Sequence, residues 1–431
     1  ENKKTKDKRI FFYLGMIHFE LNNFRKSIVY YNKFLKEEPN SIGALLNLAI
    51  VKQSVGELKD AKKIYLKLIK LDKNKIRPYY GLFVLNPNYI SIQNFNDIIK
   101  IRKNPNVNIY EKGIANFLLS KKEKKNNNYK KEDQYLREFH SDIFNANYAY
   151  NMSSQFYYNQ IISKYFDKIR IIEDDKKNFQ NSNLSPIFII GLPRSGSTLV
   201  ESILTSGNER IKTFGESNVV NMSILEQIGP EIYDKNFNSN NYDFKINVNR
   251  FQDSIINRYK QFNSEQNTID KFFIDKSLEN FLNIEIILKI FPKAKFLHTF
   301  KNLKDSIISI YQSMLPELSW THSIENILMY IDNYLKIVEY FKLKNPKIIM
   351  DVNLENFTNN SEEISKEIFK FCNLTWSKDV CKFYEREDLF SKTLSFAQIR
   401  NQVTKYDEKK YKSYFYLLKD HKKKYIWLDK K

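Results

Sequence analysis

The chain has 431 residues, of which 42% are hydrophobic, and a formal charge of +20 at pH 7. This length allows two or more domains, and the composition is that of a globular protein. Lysine supplies most of the positive charge and is spread along the chain without a nucleic-acid-binding motif, so we expect no nucleic-acid partner. Lys, Asn, Ile, Tyr and Phe are all abundant and all have A/T-rich codons, which accounts for most of the charge.

Cysteines, histidines and apolar runs narrow the class of protein further. Cys372 and Cys381 are the two cysteines and show no pairing pattern, which favours a reducing, cytoplasmic location. No apolar run is long enough to span a membrane, and the five histidines lack metal-ligand spacing. We therefore expect neither a membrane span nor a metal site. The chain starts at Glu1 rather than Met, so the loss of a leader stays open.

Residues 8–74 contain an internal repeat with a period of about 34 residues, which is the period of tetratricopeptide units. The matched positions are Leu14 and Gly15 with Leu48 and Ala49, Ser27 with Ala61, Tyr31 with Tyr65, and Phe34 with Leu68. Small residues fall where two helices cross closely, and large residues fill the groove between units. We expect a third, degenerate unit near Arg77, because about three units are needed for stability.

The pattern after the repeats predicts the organisation of the rest of the chain. We expect an all-α repeat domain over residues 1–110, a helical connector over 111–185 and an α/β domain over 186–431. Residues 121–131 are polar and of low complexity, which is typical of a solvated loop or an exposed helix end. The loop composition of residues 181–186 marks the last boundary.

A short apolar strand at residues 187–190 leads into a glycine-rich loop. Gly191 and Gly196 are followed by Ser197 and Thr198 and then by an apolar stretch at helical spacing. The backbone N–H groups of such a loop point at one spot, and the helix dipole favours an anion there. The pattern therefore predicts a phosphate-binding loop, with an ordinary strand–turn–helix corner as the alternative.

The cation of this loop differs from that of nucleoside triphosphate-binding loops. Those loops carry a lysine at the position of Ser197, whereas here the positive charge is Arg194 inside the loop. A guanidinium holds a shorter diphosphate-like group with a planar fork. A kinase that uses such a loop also requires that lysine and an acidic Mg²⁺ ligand, so Ser197 argues against a kinase.

Residues 191–200 resemble the 5′-phosphosulfate loop of the sulfotransferases that use 3′-phosphoadenosine 5′-phosphosulfate (PAPS). In particular, the chain resembles bacterial proteins that join tetratricopeptide repeats to a sulfotransferase domain, and the related tyrosylprotein sulfotransferases. The resemblance covers residues 186–415 and identifies 186–431 as a sulfotransferase domain. It implies that PAPS is bound by the loop residues Arg194, Ser195, Gly196, Ser197 and Thr198.

A glutamate downstream of the loop matches the region where the family carries its general base. The tyrosylprotein enzymes have two adjacent glutamates there, of which the second is the base. This chain has Glu216 followed by Ser217. The resemblance therefore makes Glu216 the candidate base, displaced by one residue. A surface glutamate at a helix N-terminus is the alternative.

A second charged residue, Lys276, follows a predicted strand over residues 272–275. The resemblance implies that Lys276 faces the bridging oxygen of PAPS and stabilises negative charge as the S–O bond breaks. Asp275 is expected to hold this lysine in place. A strand-end salt bridge of little energetic value is the alternative interpretation.

The next predicted strand, residues 294–300, leads into a segment that resembles the family's 3′-phosphate motif. Lys301 stands where the family has arginine, and Ser309 follows eight positions later on a helix. An ammonium lacks the bidentate fork of arginine, so we expect weaker binding of PAPS. Asp305 is expected to be the acid of the helix N-terminus, and His298 to be packed rather than catalytic.

The remaining strand and helix patterns complete the predicted fold. A helix over 324–346 precedes a strand over 347–352, and Leu354 then replaces a tyrosine of the family. Alternating strands and helices from residue 186 predict a doubly wound parallel α/β sheet, similar to that of P-loop proteins. Both phosphate-binding segments would lie at the carboxyl ends of strands.

A polar segment over residues 393–404 resembles the family's Ser-x-x-Gln-Val segment, which closes over the nucleotide. The resemblance implies that Ser395 reaches the bridging oxygen or the phosphosulfate group. It also implies that Gln398 belongs to the nucleotide site and that Lys410, which stands before an aromatic residue, contacts a phosphate.

The resemblance predicts a PAPS-dependent sulfotransferase without a metal. Glu216 would deprotonate an acceptor hydroxyl, and Arg194, Lys276 and Ser395 would stabilise the leaving group. Repeat arrays present concave surfaces to peptides, which favours a protein or tyrosine acceptor. A carbohydrate or small-molecule hydroxyl stays open, as does a homodimer. The other class that stays open is a catalytically weak repeat scaffold, which the departures at Ser217, Lys301 and Leu354 favour.

Overall fold

The computed structural model describes residues 7–166, 170–172, 183–207, 211–232, 234, 245–262, 269–386 and 398–429. The chain divides into two units. The first comprises Glu1–Tyr148 with Glu385–Asn401, and the second comprises Ala149–Tyr384 with Gln402–Lys431. The three-part division made from the sequence stays a prediction.

The repeat-bearing part of the first unit is a stack of helical hairpins. Its helices are α1 (Arg9–Glu20), α2 (Phe24–Glu37), α3 (Ile42–Ser54), α4 (Leu58–Leu71), α5 (Ile76–Leu85), α6 (Ile92–Lys103), α7 (Ile109–Lys125) and α8 (Tyr129–Ala146). Each helix from α1 to α5 packs against the next one along the chain. This is the arrangement that the repeat predicts, since each unit buries its apolar face against its neighbour.

The small and large residues of the repeat meet at the helix crossings. A Cβ atom on Gly15 would lie 2.8 Å from the ring of Tyr31, so the ring packs directly against the backbone of α1. The hydroxyl of Ser27 donates a hydrogen bond of 2.7 Å to the carbonyl of Gly15. Tyr31 and its repeat partner Tyr65 are both buried. The small residue of α1 therefore fits against the large ring of α2 at this close crossing, and a side-chain hydrogen bond joins the two helices.

The second unit combines parallel strands with helices. Its strands are β1 (Arg170–Ile172), β2 (Ile187–Gly191), β3 (Lys212–Thr213), β4 (Lys245–Asn247), β5 (Phe273–Asp275), β6 (Lys295–Phe300) and β7 (Ile349–Asn353). Its α-helices, the first of which begins at the last residue of the first unit, are α9 (Tyr148–Phe156), α10 (Ser163–Tyr165), α11 (Ser197–Leu204), α12 (Val219–Ile232), α13 (Val248–Phe262), α14 (Ile284–Ile290), α15 (Leu303–Tyr311), α16 (Ile324–Lys344), α17 (Leu354–Asn359) and α18 (Ser361–Phe371).

Five of these strands form one parallel sheet in the order β3-β5-β2-β6-β7. Strand β2 is central and fully buried, and its register with β6 runs from Ile187 opposite Lys295 to Gly191 opposite Thr299. Strands β1 and β4 form a separate parallel pair. Because β2, β5 and β6 are parallel, their carboxyl ends meet at one edge of the sheet, where ligands bind in sheets of this kind.

Two further properties concern membranes and metals. In the ranges described above, no helix combines the length and the apolar character that a bilayer crossing requires. The same ranges hold no group of three or more His, Cys, Asp or Glu side chains arranged to bind a metal ion. Both cysteines are free thiols, with Cys372 buried and Cys381 partly buried.

Candidate active site

The glycine-rich loop joins the end of β2 to the start of α11. Gly191 and Gly196 have φ angles of +141° and +92°, which L side chains rarely adopt. A Cβ atom on Gly196 would also lie 2.5 Å from Cδ1 of Leu354, so Leu354 packs against the loop. Arg194 has a left-handed φ angle of 67°. The result is a tightly curved loop before a helix N-terminus, which is a geometry that binds phosphate groups.

The serine and threonine side chains of the loop are buried. The hydroxyl of Ser195 donates a hydrogen bond of 2.6 Å to the carbonyl of Leu192 and lies 2.8 Å from the hydroxyl of Thr299 on β6. Ser197 and Thr198 form the first turn of α11 and are 6% and 7% exposed. The side chain of Ser195 therefore fastens the loop to the central strands.

A buried ammonium lies at the end of β5. Lys276 is 1% exposed, and its Nζ atom lies 2.9 Å from Oε1 of Glu216 and 3.4 Å from Oε2 of Glu201. Burial opposes the charged form, but the charges of Glu201 and Glu216 outweigh it and hold the pKa of Lys276 above its usual value. Lys276 therefore remains a cation at neutral pH.

Glu216 is the exposed partner of this ammonium. Its side chain is 54% exposed and belongs to a short loop that is hydrogen-bonded to the segment after β5. The N–H of Lys276 donates to the carbonyl of Gly215 at 2.8 Å, and the N–H of Asn218 donates to the hydroxyl of Ser277 at 2.8 Å. The structure therefore places the predicted base beside the predicted lysine, with its carboxylate open to solvent.

Glu201 is a member of this group that the sequence reasoning missed. It lies on α11 with its side chain 13% exposed, and its Oε1 atom accepts a hydrogen bond of 2.6 Å from the hydroxyl of Thr213. The available signal was a single charged residue within an apolar helix that directly follows a phosphate-type loop. Such a residue requires a partner when it is buried.

Asp275 has a different set of partners from the one that the sequence predicts. Its fully buried carboxylate accepts hydrogen bonds from Ser217, Tyr259, Ser277 and Asn280, at 2.7, 2.6, 2.7 and 3.2 Å. The expectation that Asp275 holds Lys276 is wrong, because Glu201 and Glu216 occupy that role. Asp275 instead joins the Glu216 loop to helix α13 and to the turn after β5.

Replacing Asp275 with alanine is expected to lower the free energy of unfolding by about 3 kcal/mol, because several buried donors lose their acceptor. The variant Ser217→Ala, which removes one of these donors, is expected to cost about 1 kcal/mol. Urea unfolding measures both. An equal loss in the two variants would show that the carboxylate does not act as a shared acceptor.

Basic residues from distant parts of the sequence lie near one another at the end of β6. Burial of Lys301, together with the charges of Arg194 and Lys410, lowers the pKa of Lys301 to about 7, although Asp305 acts in the opposite direction. Lys301 is 4% exposed, and its Nζ atom lies 5.2 Å from the centre of the Tyr411 ring. Mutual repulsion of this kind is relieved by a bound anion.

Helix α15 starts beside these cations. The side chain of Asn302 caps it by accepting hydrogen bonds from the N–H groups of Lys304 and Asp305. Asp305 lies in the first turn, as predicted, and accepts a hydrogen bond from the hydroxyl of Tyr406. Burial raises the pKa of Asp305. Ser309 is buried on the same helix. Tyr406, which the sequence reasoning did not single out, therefore connects the C-terminal segment to this helix.

His298 and Glu355, near the edge of the sheet, have structural rather than catalytic partners. His298 lies between Asp351, 2.7 Å from its Nδ1 atom, and the hydroxyl of Tyr334. Burial lowers its pKa. Glu355 accepts hydrogen bonds of 2.7 Å from the N–H of Asn302 and from the side chain of Asn353. Both arrangements fit packed, structural side chains.

The segment that is predicted to close over a nucleotide is only partly described. Ser395 lies outside the described residues. Gln398 begins a 3₁₀ turn, Gln398–Arg400. The structure describes the backbone of Gln398 but not its side chain. Their roles stay predictions, whereas Lys410 lies close enough to Lys301 to affect its pKa.

Comparison with known proteins identifies two regions. Residues 186–378 match the sulfotransferase family, and residues 10–41 match the tetratricopeptide repeat. A protein of Aquifex aeolicus (strain VF5) described as uncharacterized is 25% identical over 386 residues, which cover 87% of this chain and 49% of that protein. The chain thus spans about half the length of this curated relative.

Two solved structures are similar at low sequence identity. The sulfotransferase domain from the curacin biosynthetic pathway is 14% identical, covers 51% of this chain and 88% of its own, and has a TM-score of 0.33. Sulfotransferase STF1 from Mycobacterium tuberculosis H37Rv is 10% identical, covers 68% of this chain and 91% of its own, and has a TM-score of 0.32.

The glycine-rich loop, Glu216, Lys276 and Lys301 all lie within the region that matches the first family. The hairpin of α1 and α2, apart from its first residue Arg9, lies within the region that matches the repeat. These features therefore lie in the part of the chain that is similar to sulfotransferases, residues 186–378, and in the part that is similar to a tetratricopeptide repeat, residues 10–41.

Proposed function

We propose that the chain transfers a sulfuryl group from PAPS to an acceptor hydroxyl. The observation that carries this proposal is the set of groups at the carboxyl ends of β2, β5 and β6. A phosphate-type loop follows β2, the buried Lys276 follows β5 and pairs with the exposed Glu216, and the buried Lys301 follows β6. Sulfuryl transfer between two anionic oxygens requires fixed positive charge of this kind.

These residues fit a nucleotide donor whose ribose carries phosphate groups at its 3′ and 5′ positions. The loop from Arg194 to Thr198 would hold the 5′-phosphosulfate group. Lys301 and Ser309 would hold the 3′-phosphate, and Lys410 would contact a phosphate. The support is electrostatic, since the repulsion that Arg194 and Lys410 exert on Lys301 is relieved by an anion. Ser395 and Gln398 belong to the proposed site through the family resemblance alone.

In the proposed reaction Glu216 is the proton acceptor and its partner Lys276 is a charge stabiliser. PAPS supplies the sulfuryl group. The acceptor hydroxyl gives its proton to the carboxylate of Glu216 and its oxygen bonds to sulfur, while the electrons of the breaking S–O bond remain on the phosphate oxygen. Lys276, Arg194 and Ser395 stabilise that oxygen as it gains charge. Glu216 fits the first role because it is exposed and adjacent to Lys276.

The finer proposal is that the acceptor belongs to a protein, with tyrosine as the favoured residue. It is supported by the tetratricopeptide repeat, because such arrays bind peptides on their concave face. A carbohydrate or small-molecule hydroxyl is the alternative acceptor. A cytoplasmic location is proposed from the two free cysteines alone.

Calorimetric titration with PAP, the product nucleotide, tests the donor, with ATP–Mg²⁺ in a parallel titration. We expect PAP to bind and ATP–Mg²⁺ to give little response, because Ser197 replaces the lysine that ATP-binding loops use. PAP binding without transfer of labelled sulfate to any tyrosine, sugar or small-molecule hydroxyl would favour the repeat scaffold. The absence of PAP binding would overturn the proposed function.

Replacing Arg194 with alanine is expected to weaken PAP binding by about 10- to 100-fold, because a charge-assisted hydrogen bond is lost. The control variant is Arg258→Ala, since Arg258 of helix α13 pairs with Glu226 of helix α12 rather than with the loop. Calorimetry of both variants measures the effect. Equal affinity for PAP in the two variants would remove Arg194 from the donor site.

A further inference from the structure

The two carboxylates that share Lys276 differ in exposure and in attachment. Glu216 lies on a loop with its side chain 54% exposed, whereas Glu201 lies on helix α11 with its side chain 13% exposed. The second oxygen of Glu201 is held by the hydroxyl of Thr213, which also accepts a hydrogen bond from the N–H of Gly215 at 3.0 Å. Glu201 is therefore the fixed partner of the ammonium, and Glu216 is the partner that an acceptor can reach.

The net charge of Lys276, Glu201 and Glu216 taken together changes during the proposed reaction. Before transfer, one ammonium faces two carboxylates, and the group has a net charge of −1. When Glu216 takes the acceptor proton, it becomes neutral and its ion pair with Lys276 is lost. A buried ammonium without a counter-charge is strongly unfavourable. Because Glu201 stays ionised, Lys276 keeps a partner and the group becomes neutral.

We propose that Glu201 is a positioning residue. It keeps Lys276 charged and in place while Glu216 takes the proton of the acceptor hydroxyl. This inference rests on the proposed sulfuryl transfer but not on the identity of the acceptor.

A first test measures stability and requires no donor or acceptor. Each of the variants Glu201→Gln and Glu216→Gln leaves one carboxylate on Lys276, so each is expected to lower the melting temperature slightly. The double variant leaves a buried ammonium with neither carboxylate, and we expect its loss to exceed the sum of the single losses. Additive losses would overturn the shared compensation of Lys276.

A second test measures turnover. We expect Glu201→Gln to lower kcat about tenfold, with the KM for PAPS and the affinity for PAP changed less than about threefold. A role in folding alone would lower the fraction of the protein that binds PAP together with the activity, whereas we expect Glu201→Gln to bind PAP with the same stoichiometry as the unmodified protein.

Matched variants keep the outcome clear. Glu201→Asp retains the charge and is expected to recover most of the kcat that Glu201→Gln loses. Glu285→Gln removes a glutamate that pairs with Lys344, and it is expected to leave kcat unchanged. Should Glu201→Gln fail to fold, Thr213→Val loosens Glu201 while leaving its charge, and we expect a smaller loss of kcat.

The outcomes separate this inference from the proposed function. If the unmodified protein neither binds PAP nor transfers sulfate, the proposed function fails, whatever the stability test shows. If the unmodified protein is active but Glu201→Gln retains its kcat, the inference fails and the proposed function stands. A lower kcat that Glu201→Asp does not recover would also overturn the inference.

Discussion

Replacement of Lys276 with methionine is expected to lower kcat for sulfuryl transfer by about a thousandfold. The ammonium is 1% exposed and is kept charged by Glu201 and Glu216. Water screens such a charge poorly, so its effect on a developing negative charge is large. Methionine retains much of the length of the side chain but removes the charge. The loss should therefore fall on the transition state more than on the binding of the nucleotide.

The measurement is single-turnover transfer at saturating PAPS, with PAP affinity measured in parallel by calorimetry. We expect PAP affinity to fall by less than about tenfold, since the other proposed phosphate contacts remain. Lys295→Met is the matched control. Lys295 lies at the start of β6, whereas the candidate site lies at the carboxyl ends of the strands, and its Nζ atom contacts the carbonyl of Lys347. If Lys276→Met retained more than a tenth of the rate, Lys276 would not be the charge stabiliser.

The main strands of the sheet could be predicted from apolar runs. The predicted strands at 187–190, 294–300 and 347–352 correspond to β2 (Ile187–Gly191), β6 (Lys295–Phe300) and β7 (Ile349–Asn353). Each of these runs is several residues long and rich in β-branched and aromatic side chains, as buried parallel strands are. Strand β3 escaped prediction because it consists only of Lys212 and Thr213, which is too short for a periodic signal.

The candidate site could be predicted where its residues follow a local motif. The spacing of Gly191 and Gly196 indicated a tight loop, and the positive φ angles of both residues agree with that reading. Lys276 and Glu216 were singled out through the family resemblance, and the structure brings them within 2.9 Å. Their roles in donor binding and catalysis stay predictions.

The partners of buried polar groups could not be predicted from the sequence. Asp275 binds the hydroxyl of Tyr259, and Asp305 binds that of Tyr406, which lies about a hundred positions further along the chain. Such pairs follow from the packing of distant elements and leave no periodic signal. The prediction for Asp275 was wrong for this reason: its neighbour in the sequence, Lys276, is directed toward Glu201 and Glu216 instead.

The affinity for PAP is expected to fall as the pH rises above about 7, and the cause is Lys301. In the free protein, burial and the charges of Arg194 and Lys410 lower the pKa of Lys301 to about 7. A phosphate bound beside this ammonium would favour its charged form and raise the pKa again. Above pH 7, binding of PAP must therefore be accompanied by the uptake of a proton.

The sign and the size follow from proton linkage. The bound state holds one more proton than the free state between about pH 7 and the raised pKa, so affinity falls by up to about tenfold per pH unit in that range. Below pH 7, Lys301 is already charged in both states and its contribution levels off. Calorimetry between pH 6 and 9, in buffers of different ionisation enthalpy, measures both the affinity and the proton uptake.

Lys301→Arg provides the control, because a guanidinium keeps its charge throughout this range and adds a bidentate fork. We expect this variant to bind PAP at least as tightly at pH 7 and to lose most of the pH dependence.

The unliganded protein offers an independent check of the sign. Between about pH 7 and 10, unfolded Lys301 binds a proton that the folded protein does not, so this residue makes stability increase with pH. Lys301→Met should remove that increase. PAP affinity that is constant from pH 7 to 9 in the unmodified protein would show that Lys301 does not contact the nucleotide's phosphates.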